Sequence, residues 1–166
     1  MKKESGGLYG VKNSGIHGKG IFARTNIKKG IKIIEYIGEK ISKKEGDKRS
    51  EEQYEKAMKT GKGAVYVFEL NKTQDLDGDV PWNPARFINH SCNPNCKVSI
   101  RKDRIWIFSI KNIKKGQELS YDYGYDLEDY HEHPCKCGSK NCMGYIIGEE
   151  NRKKFEKLLE KFSGKK

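Results

Sequence analysis

The sequence predicts a mostly β domain with a few short helices. Three observations point there: brief apolar runs that alternate or stop early, glycines set between them, and only two stretches with helical character. Residues 8–11, 20–23 and 31–37 read as strands, punctuated by glycines at 15, 18, 20, 30 and 38. Ser42 followed by Glu45 forms a capping box that opens a polar helix running to about Lys59. Its only apolar members are Tyr54, Ala57 and Met58, which keeps it on the surface. Residues 65–70 alternate as a half-buried strand does. Residues 104–110 give the clearest strand of all, with Lys102-Asp103 as its turn. Asn112-Ile113-Lys114-Lys115-Gly116 resembles Asn26-Ile27-Lys28-Lys29-Gly30, and two turn-and-strand units of similar length account for that without a repeat. Residues 149–162 form a charged helix with Phe155, Leu158, Leu159 and Phe162 at helical spacing, either a docking helix or the last helix of the fold.

A chain of 166 residues is enough for one compact domain with short tails. Apolar residues make up only 34%, but nine tyrosines, six phenylalanines and two tryptophans argue against disorder. No apolar run approaches the ~20 residues that cross a bilayer, and residues 1–6 lead into no signal-peptide core. Membrane and secreted classes are thereby set aside. The expectation is an intracellular monomer whose five cysteines stay reduced or bind metal. The glycosylation patterns at Asn71 and Asn89 then carry no meaning. A net charge of +11 suits contact with nucleic acid through a basic surface, or simply keeps a small protein soluble. The charge is uneven. Residues 116–134 hold no lysine or arginine but carry Glu118, Asp122, Asp126, Glu128, Asp129 and Glu132, a window suited to a cationic ligand.

Chemistry concentrates in three places. The first is Arg86-Phe87-Ile88-Asn89-His90-Ser91-Cys92-Asn93-Pro94-Asn95-Cys96. The second is Glu118-Leu119-Ser120-Tyr121-Asp122-Tyr123-Gly124-Tyr125, where Tyr121, Tyr123 and Tyr125 would face one way on a strand. Buried in a core, each phenol needs a partner; lining a channel, the three would orient an incoming amine and hold its apolar stem. The third is Cys135, Cys137 and Cys142, one thiolate short of tetrahedral zinc. Cys92, Cys96, His131 and His133 are all candidates for the fourth ligand, and a disulfide pair is the competing reading. Gly15-Ile16-His17-Gly18-Lys19-Gly20 lacks the following helix that a phosphate loop requires. It reads as an ordinary turn, or as a loop whose backbone approaches a ligand closely.

Residues 15–23, 36–39, 86–96, 118–123 and the cysteine cluster, in that order, resemble the SET-domain lysine methyltransferases over roughly residues 8–147. The resemblance implies small curved sheets with a pseudoknot, a SET domain over 8–126, a post-SET zinc segment over 131–147 and a charged C-terminal helix or tail over 148–166. It leaves neither room nor thiols for a cysteine-rich pre-SET module. By the same resemblance S-adenosylmethionine lies against His17, Gly18, Lys19 and Gly20, with Tyr66, Asn89, His90 and Lys136 around it and Arg86 ordering the turn. Tyr36, Tyr121 and Tyr123 border the lysine channel, and Tyr145 closes its outer wall. One structural Zn2+ is held by Cys92, Cys135, Cys137 and Cys142, leaving Cys96 spare. The implied reaction is an in-line displacement in which a neutral lysine amine attacks a methyl on a sulfonium. Free lysine titrates near 10.4, so an apolar channel beside a positive sulfur favours the needed neutral form. Tyrosine at position 121, where many trimethylating members have phenylalanine, implies mono- or dimethylation. The implied substrate is a basic protein, most often a histone H3-like tail, with a nuclear location in a eukaryotic or host-directed setting and a cytoplasmic one otherwise. A non-histone basic target, or an inactive zinc-bound module that binds protein or nucleic acid, stands as the alternative.

Overall fold

The computed structural model describes residues 7–61 and 65–163, the last two by backbone alone. The lysines of both tails and the Phe162 side chain lie outside the described residues. In chain order the elements are β1 (Tyr9–Asn13), β2 (Lys19–Ala23), β3 (Lys32–Tyr36), β4 (Glu39–Ser42), α1 (Lys43–Thr60), β5 (Val67–Glu69) and β6 (Gln74–Asp77). There follow β7 (Asn89–His90), β8 (Cys96–Ile100), β9 (Ile105–Ser109), β10 (Ser120–Tyr121) and α2 (Glu149–Ser163). Short 3-10 turns cover Pro84–Phe87 and Tyr130–Glu132. The expected class, mostly β in small sheets, is what forms: β1-β2, β4-β6-β5 and β3-β9-β8 are antiparallel, while β7 and β10 pair in parallel. No helix among the described residues is long and apolar enough to cross a membrane.

The apolar residues that marked strands in the sequence fill one core. Ile21, Ile34, Ile105, Ile107, Ile113 and Leu119 are all buried in it. Lys102 and Asp103 both adopt positive φ, 51° and 53°, the backbone of a tight hairpin turn between β8 and β9. Strands β7 and β10, two residues each, are too short for any periodicity to reveal. Strand β6 was hidden for another reason: its buried members include Asp75 and Asp77.

Those two carboxylates explain α1. Ser42 Oγ accepts from the Glu45 N–H at 3.3 Å, as the capping pattern predicts, but the Glu45 carboxylate binds Arg49 at 2.9 Å rather than returning to the cap. Only half the box forms. The helix then docks by charge: Lys43 reaches Asp75 at 2.7 Å, and Arg49 reaches both Glu39 and Asp77 at 2.8 Å. This is why its apolar face is nearly empty. It ends at Gly61, whose φ of 63° gives a left-handed cap.

The two Asn-Ile-Lys-Lys-Gly segments pair with one another. Ile27 and Ile113 exchange both backbone hydrogen bonds at 2.8 Å, Asn112 Oδ1 accepts from Lys29 N, and Asn26 Oδ1 accepts from Lys115 N, each at 2.9 Å. Gly30 and Gly116 share a φ of 87°, a conformation that favours glycine. The similarity is therefore a local two-fold clasp that ties the ends of β2 and β3 to the segment before β10. Ile113 is 1% exposed at its centre. Ile113→Ala is expected to cost about 2–5 kcal/mol, read as a lower midpoint in urea with an unchanged slope.

Candidate active site

The site is built where β7 lies beside β10. Asn89 pairs with Ser120 and His90 with Tyr121, the contact that a pseudoknot would require. Two residue pairs are a weak ladder, so side chains complete it. Asn89 Nδ2 donates to the carbonyls of His17 (3.3 Å) and Lys19 (3.0 Å) and to Glu118 Oε1 (2.8 Å). Glu118 also accepts from Ser14 Oγ at 2.8 Å. Asn95 imitates a strand: its amide donates to Glu118 O at 2.8 Å and its oxygen accepts from Ser120 N at 2.9 Å.

His90 is buried, and its Nδ1 accepts from the Tyr123 N–H at 3.2 Å. That assigns the ring proton to Nε2, which faces Cys92 Sγ at 3.5 Å. Burial lowers the imidazole pKa to about 4, more than Asp122 raises it, so the ring is neutral near pH 7. Asp122 itself is an internal tie. It accepts from Arg152 Nη2 at 2.7 Å and from the Glu149 N–H at 2.9 Å. Of the six acids in the lysine-free window, Glu118 and Asp122 are thus spent inside the fold.

Two cavities meet here. The larger, 610 Å3, is walled by Tyr36, Tyr66, Phe68, Tyr121, Tyr123 and Tyr125. Four carboxylates, Glu51, Glu69, Asp126 and Asp129, also line it, against the single cation Arg86. The smaller, 280 Å3, is lined by His17, Asn89, His90, Cys135 and Lys136 with apolar neighbours such as Met58 and Ile146. Tyr123 and Tyr125 belong to both. The alternation predicted a continuous strand for the tyrosines, but β10 stops at Tyr121. The rings still stack in series, with centroids 5.0 Å apart from Tyr121 to Tyr123 and 5.8 Å from Tyr123 to Tyr125.

Their hydroxyls differ. Tyr36 Oη donates to Tyr66 O at 2.9 Å and Tyr123 Oη to Ile88 O at 3.0 Å. Tyr121 Oη has no protein partner among the described residues. Burial pushes the Tyr123 phenol far above its usual value, with Tyr125 and Tyr66 adding to the effect. Tyr36 depends on a bare backbone: a Cβ on Gly78 would lie 2.2 Å from its ring.

The predicted residues divide between the cavities. His17, Asn89, His90 and Lys136 reach the smaller one, while Tyr66 and Arg86 stand with the tyrosines in the larger. Gly18, Lys19 and Gly20 line neither; of the three, only Lys19 supplies a carbonyl that Asn89 grips. Arg86 pairs with Asp79 at 2.6 Å, and its Nε is buried without a hydrogen-bond partner among the described residues. Tyr145 packs edge-on against Tyr130 and the fully buried Phe155, at 5.0 and 5.9 Å, so α2 packs onto the body of the fold.

Cys92, Cys135, Cys137 and Cys142 bring their sulfurs within 4.8 Å of one another. Cys92 lies 3.8 Å from Cys135 and 3.9 Å from Cys142. A tetrahedron with metal–sulfur bonds of about 2.3 Å has edges of about 3.8 Å, whereas a disulfide needs about 2.05 Å. The cluster is therefore shaped to hold a metal ion. Burial pushes Cys92 up to about 11, while Cys137, despite burial, is held down to about 6 by hydrogen bonds from Ser139 and the Cys92 N–H. Four thiols this close ionise together only beside a cation. Cys96 lies apart in the core, His133 packs edge-on against Tyr125 at 4.7 Å, and exposed His131 sits beside Glu132.

Several functional contacts escaped the sequence reading. Arg152 donates to Cys92 O at 2.7 Å and Asn141 to the same carbonyl at 3.1 Å. A side chain that recognises backbone leaves no sequence pattern. Tyr54 of α1 packs edge-on against His133 at 5.9 Å, linking that helix to the cysteine segment. Titration with Co2+ is expected to give one equivalent of tetrahedral thiolate spectrum, lost in Cys142→Ser.

Residues 18–124 match the model of the SET domain. The chain is 42% identical over 151 residues to histone-lysine N-methyltransferase trr of Drosophila melanogaster, covering 88% of this chain and 6% of that protein. It is 40% identical to the histone-lysine N-methyltransferase, H3 lysine-4 specific, of Aspergillus oryzae, covering 80% of this chain and 11% of the relative. Histone-lysine N-methyltransferase 2D of Homo sapiens is also 40% identical over 80% of this chain, which spans 2% of that protein. The chain thus spans a small part of the curated relatives it matches. With a family match covering most of the sequence, the chain belongs to the SET-domain family.

Proposed function

We propose that this chain is an S-adenosylmethionine-dependent protein-lysine N-methyltransferase acting on a basic protein, with a histone H3-like tail as the leading substrate. The observation that carries this reading is the meeting of two cavities at Tyr123, one lined by carboxylates and tyrosines, the other by His17, Asn89 and His90. The names of its relatives supply the histone. The carboxylates Glu51, Glu69, Asp126 and Asp129 suit a cationic peptide but read charge rather than identity, so a non-histone basic protein fits the same site. A chromatin location follows if the target is a histone. We assign residues 8–126 to the SET unit, 131–147 to a post-SET segment with one structural Zn2+ on its four sulfurs, and 148–166 to a closing helix and tail.

S-adenosylmethionine would supply an electrophilic methyl group. His17, Asn89, His90 and Lys136 would hold its nucleoside side, and Arg86 Nε with Tyr66 its amino-acid end. The apolar faces of the tyrosine walls disfavour a lysine ammonium by desolvation. Tyr123, fixed by Ile88 O and too high in pKa to ionise, orients the amine and does not act as a base. The lysine must shed its proton to solvent.

Three outcomes follow. Labelled methyl is transferred to histones, nucleosomes or a basic ribosomal fraction, and Tyr123→Phe lowers the rate by about 100-fold through lost positioning. Labelling that survives the substitution would remove Tyr123 from the chemistry, whereas none from a folded, cofactor-binding protein on any basic substrate would reject the enzyme reading in favour of an inactive binding module. At subsaturating peptide the rate rises about tenfold per pH unit up to about pH 10, where the free amine titrates; a flat profile argues for a protein-borne base. Because Tyr121 Oη is free to hold a water, Tyr121→Phe is expected to raise the degree of methylation in mass spectra, and unchanged product states would discard that role.

A further inference from the structure

The antiparallel sheet β3-β9-β8 turns one face to the core, through Ile105, Ile107 and Ser109, and the other outward. On the outer face the register sets Lys32, Phe108 and Lys97 in one row and Glu35, Trp106 and Ser99 in the next. Lys32 lies over the Trp106 ring at 4.1 Å, Arg104 over the same ring at 4.8 Å, and Arg101 over Phe108 at 5.4 Å. Lys32, Lys97 and Arg101 are exposed and both rings are only half-buried. The one carboxylate on this face, Glu35, is neutralised by Arg104 in a two-pronged pair. None of these residues lines either cavity.

We propose that this face binds single-stranded nucleic acid, with bases stacked on Trp106 and Phe108 and phosphates paired with Lys32, Lys97 and Arg101. Residues i and i+2 on a strand stand about 6.8 Å apart, so the two rings offer separate platforms to bases that are not stacked on each other. Exposed cation–ring contacts are weaker than a base stacked on the same ring, so bases displace the cations, which move to the phosphates. A duplex keeps its bases stacked on each other, out of reach of flat rings on a sheet. An acidic peptide would use the cations but leave the rings without partners.

The chain has two tryptophans, so Trp82→Phe leaves Trp106 as the sole reporter and leaves the proposed face intact. Twelve-residue oligo-dT and oligo-U are expected to quench its fluorescence, with a log–log salt slope of roughly −2 for three phosphate contacts. Reversing Lys32, Lys97 and Arg101 to Glu is expected to weaken binding about tenfold or more, with the fold checked by circular dichroism. The same charge change on α2, Lys153, Lys154 and Lys157 to Glu, should weaken it less than about threefold. Equal losses in the two variants, binding without quenching of Trp106, or equal affinity for a duplex or for polyglutamate would each overturn the proposal.

Discussion

The structure turns on a parallel contact only two residues long, Asn89–His90 against Ser120–Tyr121. Backbone pairing on that scale has little strength of its own. It holds because neighbouring amides act as strand substitutes: Asn89 grips the 17–19 loop and Glu118, and Asn95 grips residues 118 and 120 from the other side. A buried amide left without partners costs about 1–3 kcal/mol, so each side chain specifies the arrangement as well as stabilising it. Everything functional hangs from this contact. His90 sets the Tyr123 backbone, Tyr121 and Tyr123 wall the larger cavity, and Cys92, two residues on, joins the sulfur cluster.

The cysteine segment completes what that contact begins. Its four sulfurs come from two distant stretches of chain, and the stretch between Cys135 and Cys142 carries Lys136 to the smaller cavity. Arg152 joins the Cys92 carbonyl to Asp122 and so locks α2, the sulfur cluster and the tyrosine segment into one unit. A metal ion held by the four sulfurs would fix the wall of the smaller cavity that Cys135 and Lys136 form. The charged helix α1 is fastened by ion pairs instead, and it brings Tyr54 and Glu51 to the cavity walls.

Much of this was legible in the sequence because the chemistry is concentrated. Asn89, His90, Cys92 and the tyrosines announce themselves as polar groups in an apolar context, and Cys92 as the fourth ligand followed from the family resemblance. Strand β9 was visible through its apolar periodicity, and β3 through an apolar run bounded by glycines. What stayed hidden was recognised by backbone or by charge. Asp75 and Asp77 made β6 look like loop, although burial beside Lys43 and Arg49 is what seats α1. The twin Asn-Ile-Lys-Lys-Gly segments looked coincidental, because nothing in either one says that its partner is the other. Composition likewise placed six acids in one window without separating those that tie the fold from those that face a cavity.

The central claim is that a lysine peptide and the cofactor meet at Tyr123, the cofactor reaching from the smaller cavity to Tyr66 and Arg86 on the wall of the larger. The direct measurement is calorimetric binding of a lysine-containing H3-like peptide in the absence and presence of saturating S-adenosylhomocysteine. Simultaneous binding, with peptide affinity lowered in Asp126→Asn, Asp129→Asn but cofactor affinity unchanged, is the expected result. Mutually exclusive binding would mean that the two cavities are one site, and would contradict the account.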